Sequence, residues 1–347
     1  MSPSKKSHKS HAGEPKLQEN TNGVNPEIVR IGEKVLAGGV IAHDEALCLT
    51  ETRGTDLLLL FTYASKIRER FAGDGVDLCS IVNARSGRCS EDCAFCAQSA
   101  HYHADGPVYS LLDEDTVLRK AWEARRTGAN RFDMVTNGRG VREEDTDFRR
   151  ILQILRRVRE ETGLKTCASL GTLTFGAARA LVEAGVTRYN HNIETAESFF
   201  SKIVSTHTFA ERVETVRIVK AAGMEACCGG IIGLGESAEQ RLDFAFTLRE
   251  LGADSVPVNI LNPRAGTPLQ DIEPLAPMEI LKYLALFRFI LPDKIIRYAG
   301  GREVGLRELQ PLGFLAGVNG MLIGDYLTTR GRKPEEDLAL LRDLQWT

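Results

Sequence analysis

The sequence predicts an α/β fold, a TIM-type (β/α)8 barrel in which eight parallel strands alternate with helices. Five helical stretches end in a glycine and are followed within a few residues by a short β-like run. These glycines are Gly128, Gly163, Gly185, Gly223 and Gly252. Residues 77–84, 294–301 and 319–325 form three further β-like runs. Strands that alternate with helices form parallel sheets, and eight such units in 347 residues suggest a closed barrel, with a doubly wound open sheet as the alternative.

Local signals support the individual elements in chain order. Residues 1–22 are rich in Lys, Ser and His without hydrophobic periodicity, which predicts a disordered N-terminal tail. Residues 23–347 contain no long linker and are expected to form one domain. A glycine just past a helix adopts the left-handed conformation without a Cβ clash. Thr208 with Glu211, and Ser237 with Gln240, fit the capping box that satisfies free N–H groups at a helix start.

The amino-acid composition argues against several classes of protein. Hydrophobic residues make up 43% of the chain and charged residues 26%, with a formal net charge of −3, so neither disorder nor a nucleic-acid surface is indicated. No apolar run reaches the roughly 18 residues of a membrane span, and the start does not resemble a secretory signal. A cytoplasmic protein with eight cysteines more often uses them for metal or redox chemistry than for disulfides.

Three of those cysteines form the most informative segment, CSEDCAFC. Cys89, Cys93 and Cys96 have the spacing C-x3-C-x2-C and follow the first predicted strand. A structural zinc site would need a fourth ligand, for which His101 or His103 is available. A four-iron cluster held by three thiolates instead leaves one iron open to an external ligand. We expect the three cysteines to hold a [4Fe–4S] cluster, with zinc as the alternative.

This spacing, with Phe95 directly before the last cysteine, resembles the signature of radical S-adenosylmethionine enzymes, whose fold is a partial or full (β/α)8 barrel. From about residue 28 to 345 the chain resembles the biotin synthase family. The segments that carry the resemblance are NARSGRCSEDCAFCAQSAHY, LGTL, RYNHNIET, TFAERVETV, CCGGIIGLGE, ADSVPVNIL with GTPL, and IRYAGGRE followed by LTT. Residues 260–347 also resemble a segment shared with thiamine-pathway enzymes.

The resemblance implies a radical sulfurtransferase that inserts sulfur into dethiobiotin to give biotin. It would use two S-adenosylmethionine molecules per turnover, an auxiliary iron–sulfur cluster as sulfur donor, and a flavodoxin- or ferredoxin-type electron donor. It also implies a homodimer that needs neither nucleic acid nor membrane. The alternatives are a related radical enzyme that matures a metallocofactor or rearranges an amino acid, and a non-catalytic zinc-binding barrel protein.

Site residues follow from the same resemblance. It implies that Phe95, Glu194 and Arg212 contact S-adenosylmethionine, with Glu194 at the ribose and Arg212 at the carboxylate. It further implies that Asn192 and Asn259 contact dethiobiotin. Asn192 and Glu194 share strand parity with the preceding Asn190, so all three side chains can point into the barrel. Relatives often carry Asp or Asn at the position of Glu194, whose extra methylene would shift the ribose contact.

The auxiliary cluster is where the chain departs from the family pattern. Cys167, Cys227 and Arg297 match three of the four ligands of the [2Fe–2S] cluster found in many members. The fourth position carries Asp133, and a hard carboxylate is a poor substitute for a soft thiolate on iron–sulfur.

Two cysteines outside the common pattern offer a way to compensate. Cys79 and Cys228 could join Cys167 and Cys227 on a four-iron auxiliary cluster. Adjacent strand residues face opposite ways, so Cys228 would need a bulge, which the glycines at 229–230 allow. The alternative is that both are small buried hydrophobes and that Asp133 is a weak ligand of a [2Fe–2S] cluster. Cys48, on a predicted helix before the barrel, is expected to be a buried structural thiol.

Overall fold

A closed barrel of parallel strands forms the centre of the computed structural model, which describes residues 24–346. The tail predicted at residues 1–22 lies outside the described residues. The barrel strands are β1 (Asp77–Arg85), β2 (Arg131–Thr136), β4 (Lys165–Ser169), β6 (Val186–Asn190), β7 (Glu225–Cys227), β8 (Gly230–Ile232), β9 (Ser255–Ile260), β10 (Ile295–Tyr298) and β11 (Gly320–Leu322). Two short strands, β3 (Gly140–Val141) and β5 (Thr172–Leu173), pair with each other outside the barrel. The sequence-based prediction of a (β/α)8 barrel is therefore confirmed.

Parallel pairing runs around the whole ring. The last strand, β11, pairs with the first strand, β1, and β10 pairs with both β11 and β9. All eight β-like runs identified in the sequence are strands, with β7 and β8 together occupying one position. The open-sheet alternative is excluded because β9–β10–β11–β1 pairing leaves no free edge.

Helices surround this ring. They are α1 (Pro26–Leu36), α2 (His43–Thr50), α3 (Asp56–Ala72), α4 (Glu114–Arg126), α5 (Thr146–Thr162), α6 (Phe175–Glu183), α7 (Glu197–Phe200), α8 (Phe209–Ala221), α9 (Ala238–Glu250), α10 (Pro277–Ile290), α11 (Arg302–Leu306), α12 (Gln310–Leu315) and α13 (Pro334–Asp343). A 3-10 turn at Arg307–Leu309 joins α11 to α12. Both predicted capping boxes are present, at the starts of α8 and α9. The five predicted helix-ending glycines all have positive φ.

A break in one strand shapes the catalytic end of the barrel. Strand β7 ends at Cys227 and β8 begins at Gly230, which gives the irregularity that the paired glycines predict. A Cβ on Gly230 would lie 2.2 Å from the backbone oxygen of Glu194, and one on Gly229 would lie 2.0 Å from that of Pro257. These glycines therefore let neighbouring backbone segments approach each other closely.

The C-terminal helix is fastened to the barrel by a buried ion pair. Arg302, at the start of α11, donates from both terminal nitrogens to the Asp337 carboxylate of α13, at 2.6 and 3.1 Å. Both side chains are almost fully buried. Fork-to-fork pairing of this kind fixes orientation as well as adding energy. Within residues 24–346, no helix combines the length and apolar character needed to cross a membrane.

Replacing Asp337 by alanine should destabilise the fold strongly, because it removes the buried carboxylate of Arg302 and leaves the guanidinium with the partly exposed Glu303, 3.5 Å from its Nε. We expect the free energy of unfolding to fall by about 3–5 kcal/mol in denaturant titrations. The neighbouring Glu336 is the matched control, since its pair with Arg332 is partly exposed. Glu336→Ala should cost less than about 1 kcal/mol. Equal losses in the two variants would contradict the assignment of Arg302 and Asp337 as the anchor.

Candidate active site

A single cavity of about 430 Å³ occupies the barrel interior and opens at the carboxyl-terminal ends of the strands. Every barrel strand contributes to its wall, as expected for the functional end of this fold. Nearly all the residues singled out in the sequence line it, although they come from distant parts of the chain. They are Cys79, Cys89, Cys93, Phe95, Cys96, Asp133, Cys167, Asn190, Asn192, Glu194, Arg212, Cys227, Asn259 and Arg297.

The loop after β1 folds so that its three cysteines face this cavity. The Cys89 N–H donates to the oxygen of Gln98, and the Ala100 N–H donates back to the oxygen of Cys89, at 2.8 Å each. Burial raises the pKa of the Cys93 thiol to about 12 and also raises the pKa of Cys96. Both thiols therefore remain protonated at neutral pH unless a metal replaces the proton. Three thiols on one cavity wall fit a cluster that binds through thiolates.

The same geometry disfavours the zinc alternative. His101 and His103 are both exposed and neither lines the cavity. The His101 ring instead lies 2.9 Å from the backbone oxygen of Ser90. Among the described residues, no three His, Cys, Asp or Glu side chains converge closely enough to hold a single metal ion. A structural zinc site needs four such ligands around one ion, so the arrangement fits a larger cluster better.

Glu194 and Arg212 meet at the mouth of the cavity. The Arg212 Nη1 donates to the backbone oxygen of Asn192 at 2.9 Å and lies 3.5 Å from the Glu194 carboxylate. Burial raises the pKa of Glu194, and the charge of Arg212 opposes that shift. Glu194 also has a left-handed backbone, with φ of 68°. Asn and Asp adopt this conformation more readily than Glu, so the backbone at this position favours a shorter polar side chain.

The two asparagines matched to the substrate pocket are held by backbone groups. The Asn192 Oδ1 accepts from the Gly229 N–H at 3.1 Å. The Asn259 amide donates to the oxygen of Gly230 at 3.1 Å and accepts from the Gly300 N–H at 2.9 Å. Both carboxamides are thus oriented before any ligand arrives, and each retains hydrogen-bonding capacity for one. Asn190, Asn192 and Glu194 all line the cavity, as their shared parity predicts.

A second group of thiols lies deeper in the barrel. Cys79 of β1 and Cys167 of β4 both line the cavity wall, and the mutual influence of the two thiols raises the pKa of Cys79 and lowers that of Cys167. Cys227 lines the same cavity from β7. Asp133 is paired directly with Cys167 across β2 and β4, and burial raises the pKa of its carboxyl to about 7. Its Oδ1 is buried and has no hydrogen-bond partner within residues 24–346.

Arg297 completes this deeper group and is held by an ion network that sequence reasoning missed. Its Nη2 donates to Asp77, which also pairs with Arg131 at 3.2 Å and Arg188 at 3.4 Å. Glu225 closes the network at 3.1 Å from Arg131 and 2.7 Å from Arg188. Burial opposes ionisation of Asp77, yet the surrounding guanidinium groups hold its pKa below the usual range. The sequence did carry a signal for this network, because β1, β2 and β7 each begin with a charged residue.

The other terminal nitrogen of Arg297 is the notable feature of this network. Nη1 is buried and has no hydrogen-bond partner among the described residues. A buried polar atom without a partner costs free energy unless something else satisfies it. It belongs to a side chain that lines the same cavity as Cys79, Cys167 and Cys227. The deeper group therefore fits a bound cluster with three thiolates and one guanidinium.

Two expectations about cysteines are not met by the structure. Cys228 does not line the cavity. It follows β7, is fully buried among core residues, and burial raises the pKa of its thiol. The register against β9 stays continuous across the break, from Cys227 opposite Ser255 to Gly230 opposite Val258, so no bulge turns this side chain inward. Cys48 is exposed, not buried, because helix α2 faces the interior with Ala46, Leu49 and Thr50.

Comparison with known proteins places the whole described chain in one family. Residues 84–248 match the radical SAM superfamily, and residues 257–347 match the biotin and thiamin synthesis associated domain. The chain is 58% identical to the biotin synthase of Carboxydothermus hydrogenoformans over 317 residues, which cover 91% of this chain and 98% of that protein. It is 55% identical to the biotin synthase of Clostridium acetobutylicum over 318 residues, covering 92% and 97%.

Solved structures agree on the fold. Methylornithine synthase (PylB) superposes with a TM-score of 0.78 at 21% identity, covering 91% of this chain and 96% of that one. HydG, a maturase of the [FeFe]-hydrogenase, gives a TM-score of 0.79 at 15% identity, covering 92% and 75%. At such identities the likeness concerns the barrel alone. High identity over nearly the full length of the curated relatives is decisive instead, and the chain belongs to the biotin synthase family of radical S-adenosylmethionine enzymes.

Proposed function

We propose that this protein converts dethiobiotin to biotin by radical sulfur insertion, using two S-adenosylmethionine molecules per turnover. Family membership supports the reaction class and implies a [4Fe–4S] cluster and S-adenosylmethionine as cofactors. The observation that carries the proposal is that two separate thiol groups and two oriented asparagines share one cavity. A single-cluster enzyme would have no use for the deeper group.

Each set of side chains has its own role. Cys89, Cys93 and Cys96, which line the cavity, would hold the [4Fe–4S] cluster. When bound, the cofactors supply the one-electron chemistry that removes hydrogen from an unactivated carbon, a task beyond any polar side chain, and the sulfide that replaces it. Phe95, Glu194 and Arg212 bind S-adenosylmethionine, with the guanidinium at its carboxylate.

For the sulfur donor we propose Cys79, Cys167, Cys227 and Arg297 as the ligand set. Cys79 would supply the thiolate that is lacking at Asp133, because its side chain lines the same cavity as Cys167 and Cys227. The Nη1 of Arg297, which has no hydrogen-bond partner among the described residues, would be the fourth ligand atom after releasing a proton on cluster binding. Cys228 is omitted because its side chain lies outside the cavity. Whether the cluster contains two irons or four is decided by metal analysis, as argued below.

Asn192 and Asn259 are proposed to bind the polar ring of dethiobiotin, and Asn259→Ala tests this. Loss of one preoriented hydrogen-bonding group should raise KM for dethiobiotin about tenfold while KM for S-adenosylmethionine stays unchanged. Steady-state assays with each substrate varied in turn give both values. Asn130→Ala, at an exposed asparagine, is the control and should change neither. Equal rises in both KM values would argue against a specific substrate contact.

An anaerobic assay with S-adenosylmethionine, a reductant and dethiobiotin tests the reaction itself. Reconstituted protein should form biotin and 5′-deoxyadenosine together. Formation of 5′-deoxyadenosine without biotin would overturn the substrate assignment and favour a related radical enzyme. A colourless, air-stable protein without S-adenosylmethionine cleavage would instead favour the zinc-binding barrel.

We further propose that residues 23–347 act as one catalytic domain, with 260–347 as its biotin- and thiamine-associated segment. A cytoplasmic homodimer reduced by a flavodoxin- or ferredoxin-type protein is the arrangement that the family resemblance favours. Light scattering of the reconstituted protein, and reduction by purified donors of either type, test these points. A monomer with full activity would contradict the dimer.

A further inference from the structure

A chain of three hydrogen-bonded side chains links the cysteine loop to Arg212. Glu91, which lies between Cys89 and Cys93, has its Oε2 2.6 Å from the His207 Nδ1. On the other side of the ring, the Arg212 Nε is 3.0 Å from the His207 Nε2. Glu91 and His207 are both buried and both line the cavity, yet they lie 116 residues apart in the sequence.

The chemistry of these groups fixes the state of the imidazole. An arginine Nε–H can only donate a hydrogen bond, so the His207 Nε2 must accept and carries no proton. The remaining ring proton is therefore on Nδ1 and is donated to the Glu91 carboxylate. Thr206 supports the same carboxylate by donating its hydroxyl at 2.8 Å. Each link in the chain thus has one defined direction.

This chain leaves Arg212 with one uncommitted nitrogen. Its Nε is bound by His207, and its Nη1 is bound by the Asn192 backbone oxygen and by Glu194. The Nη2 makes no hydrogen bond to any described residue. The guanidinium also lies 5.8 Å from the centre of the Phe200 ring, which restricts its rotation about the side-chain axis. A guanidinium held at two nitrogens presents the third in a fixed direction.

We propose that His207, held by Glu91, is a positioning residue for Arg212, so that the loop carrying the cluster cysteines also orients the guanidinium that binds the carboxylate of S-adenosylmethionine. This rests on the role assigned to Arg212 in the proposed function. The arrangement makes binding of the cofactor depend on correct folding of the cysteine loop. His207 itself need not touch the cofactor.

Three substitutions at His207 separate positioning from mere packing. His207→Gln can place an oxygen near the position of Nε2 and still accept from Arg212, whereas His207→Asn keeps only a donor toward Glu91. His207→Phe fills the space and removes both contacts. At equal iron content, we expect the Kd of S-adenosylmethionine to rise about tenfold for Phe and Asn and only about threefold for Gln. Glu91→Gln, which can still accept from Nδ1–H, should resemble His207→Gln.

The control is His43→Gln, which removes another histidine–carboxylate pair, the 2.9 Å contact with Asp243 outside the cavity. It should bind S-adenosylmethionine like the wild type. Wild-type affinity in His207→Phe, or equal losses in the Gln and Phe variants, would overturn the proposal. Binding is measured without dethiobiotin, so it is independent of the product formed. A wild-type protein that binds S-adenosylmethionine but makes no biotin would overturn the proposed reaction and leave this inference intact.

Discussion

Replacing Cys93 by alanine is expected to lower the rate of S-adenosylmethionine cleavage by at least about a thousandfold. Enzymes accelerate reactions by about a millionfold or more, and here the whole acceleration depends on the bound cluster. Cys93 is the central cysteine of its loop, and its side chain is buried at the cavity wall. We expect the variant to lose about four irons per chain after anaerobic reconstitution. Iron, acid-labile sulfide and 5′-deoxyadenosine are the quantities to measure.

The matched control for this variant is Cys48→Ala, because Cys48 is a free, exposed thiol on helix α2. It should retain wild-type iron content and activity. Far-ultraviolet circular dichroism of both variants separates cluster loss from unfolding. A folded Cys93→Ala protein that keeps its iron and cleaves S-adenosylmethionine would contradict the assignment of the cysteine loop.

The fold was accessible from sequence because its signals are local. A glycine just past a helix, such as Gly163 with φ of 69°, reports only its own backbone conformation. The capping box of Thr208 and Glu211 likewise spans four residues. Barrel strands repeat such signals in a fixed order, so independent local observations agree on one architecture.

The orientation of single side chains was less accessible. Cys227 and Cys228 are adjacent in a broken strand, and only the register of the neighbouring strands decides which one faces the cavity. The exposure of Cys48 depends on which face of α2 meets the rest of the protein. Glu91 and His207 meet across 116 residues of sequence, and no short-range pattern announces their contact. These features depend on tertiary packing, which periodicity does not encode.

Replacing Cys79 by alanine is the second large effect we expect. It should reduce biotin formation by about 100-fold or more. Changing a residue that only hydrogen-bonds to a metal ligand lowers affinity or activity by roughly 10–100-fold, and loss of a ligand itself should cost at least as much as the upper end of that range. Cleavage of S-adenosylmethionine should continue near the wild-type rate, because Cys89, Cys93 and Cys96 are untouched. The two products, measured in one anaerobic reaction, separate sulfur insertion from radical generation.

Cys228→Ala is the control that makes this test sharp, because both cysteines are buried and both are absent from the common family pattern. Only Cys79 lines the cavity, so only its loss should remove auxiliary iron. The Asp133→Asn variant should keep the auxiliary cluster, because Asp133 is not in the proposed ligand set. If the Asp133 carboxylate were a ligand, this change would remove it and the variant would lose auxiliary iron. Loss of biotin formation in Cys228→Ala with retention in Cys79→Ala would reverse the proposed ligand set.

The iron count then identifies the cluster that this ligand set holds. Full occupancy of a four-iron and a two-iron cluster gives about six irons per chain, and two four-iron clusters give about eight. Cys79 is paired through β1 and β2 with Arg131, two residues before Asp133, so its thiolate enters from a lower level of the barrel than a thiolate at 133 would. A ligand set with one of its three thiolates displaced in this way has to hold a differently placed cluster. Metal analysis of the wild type and of Cys79→Ala therefore reports how the missing thiolate at Asp133 changes the sulfur donor.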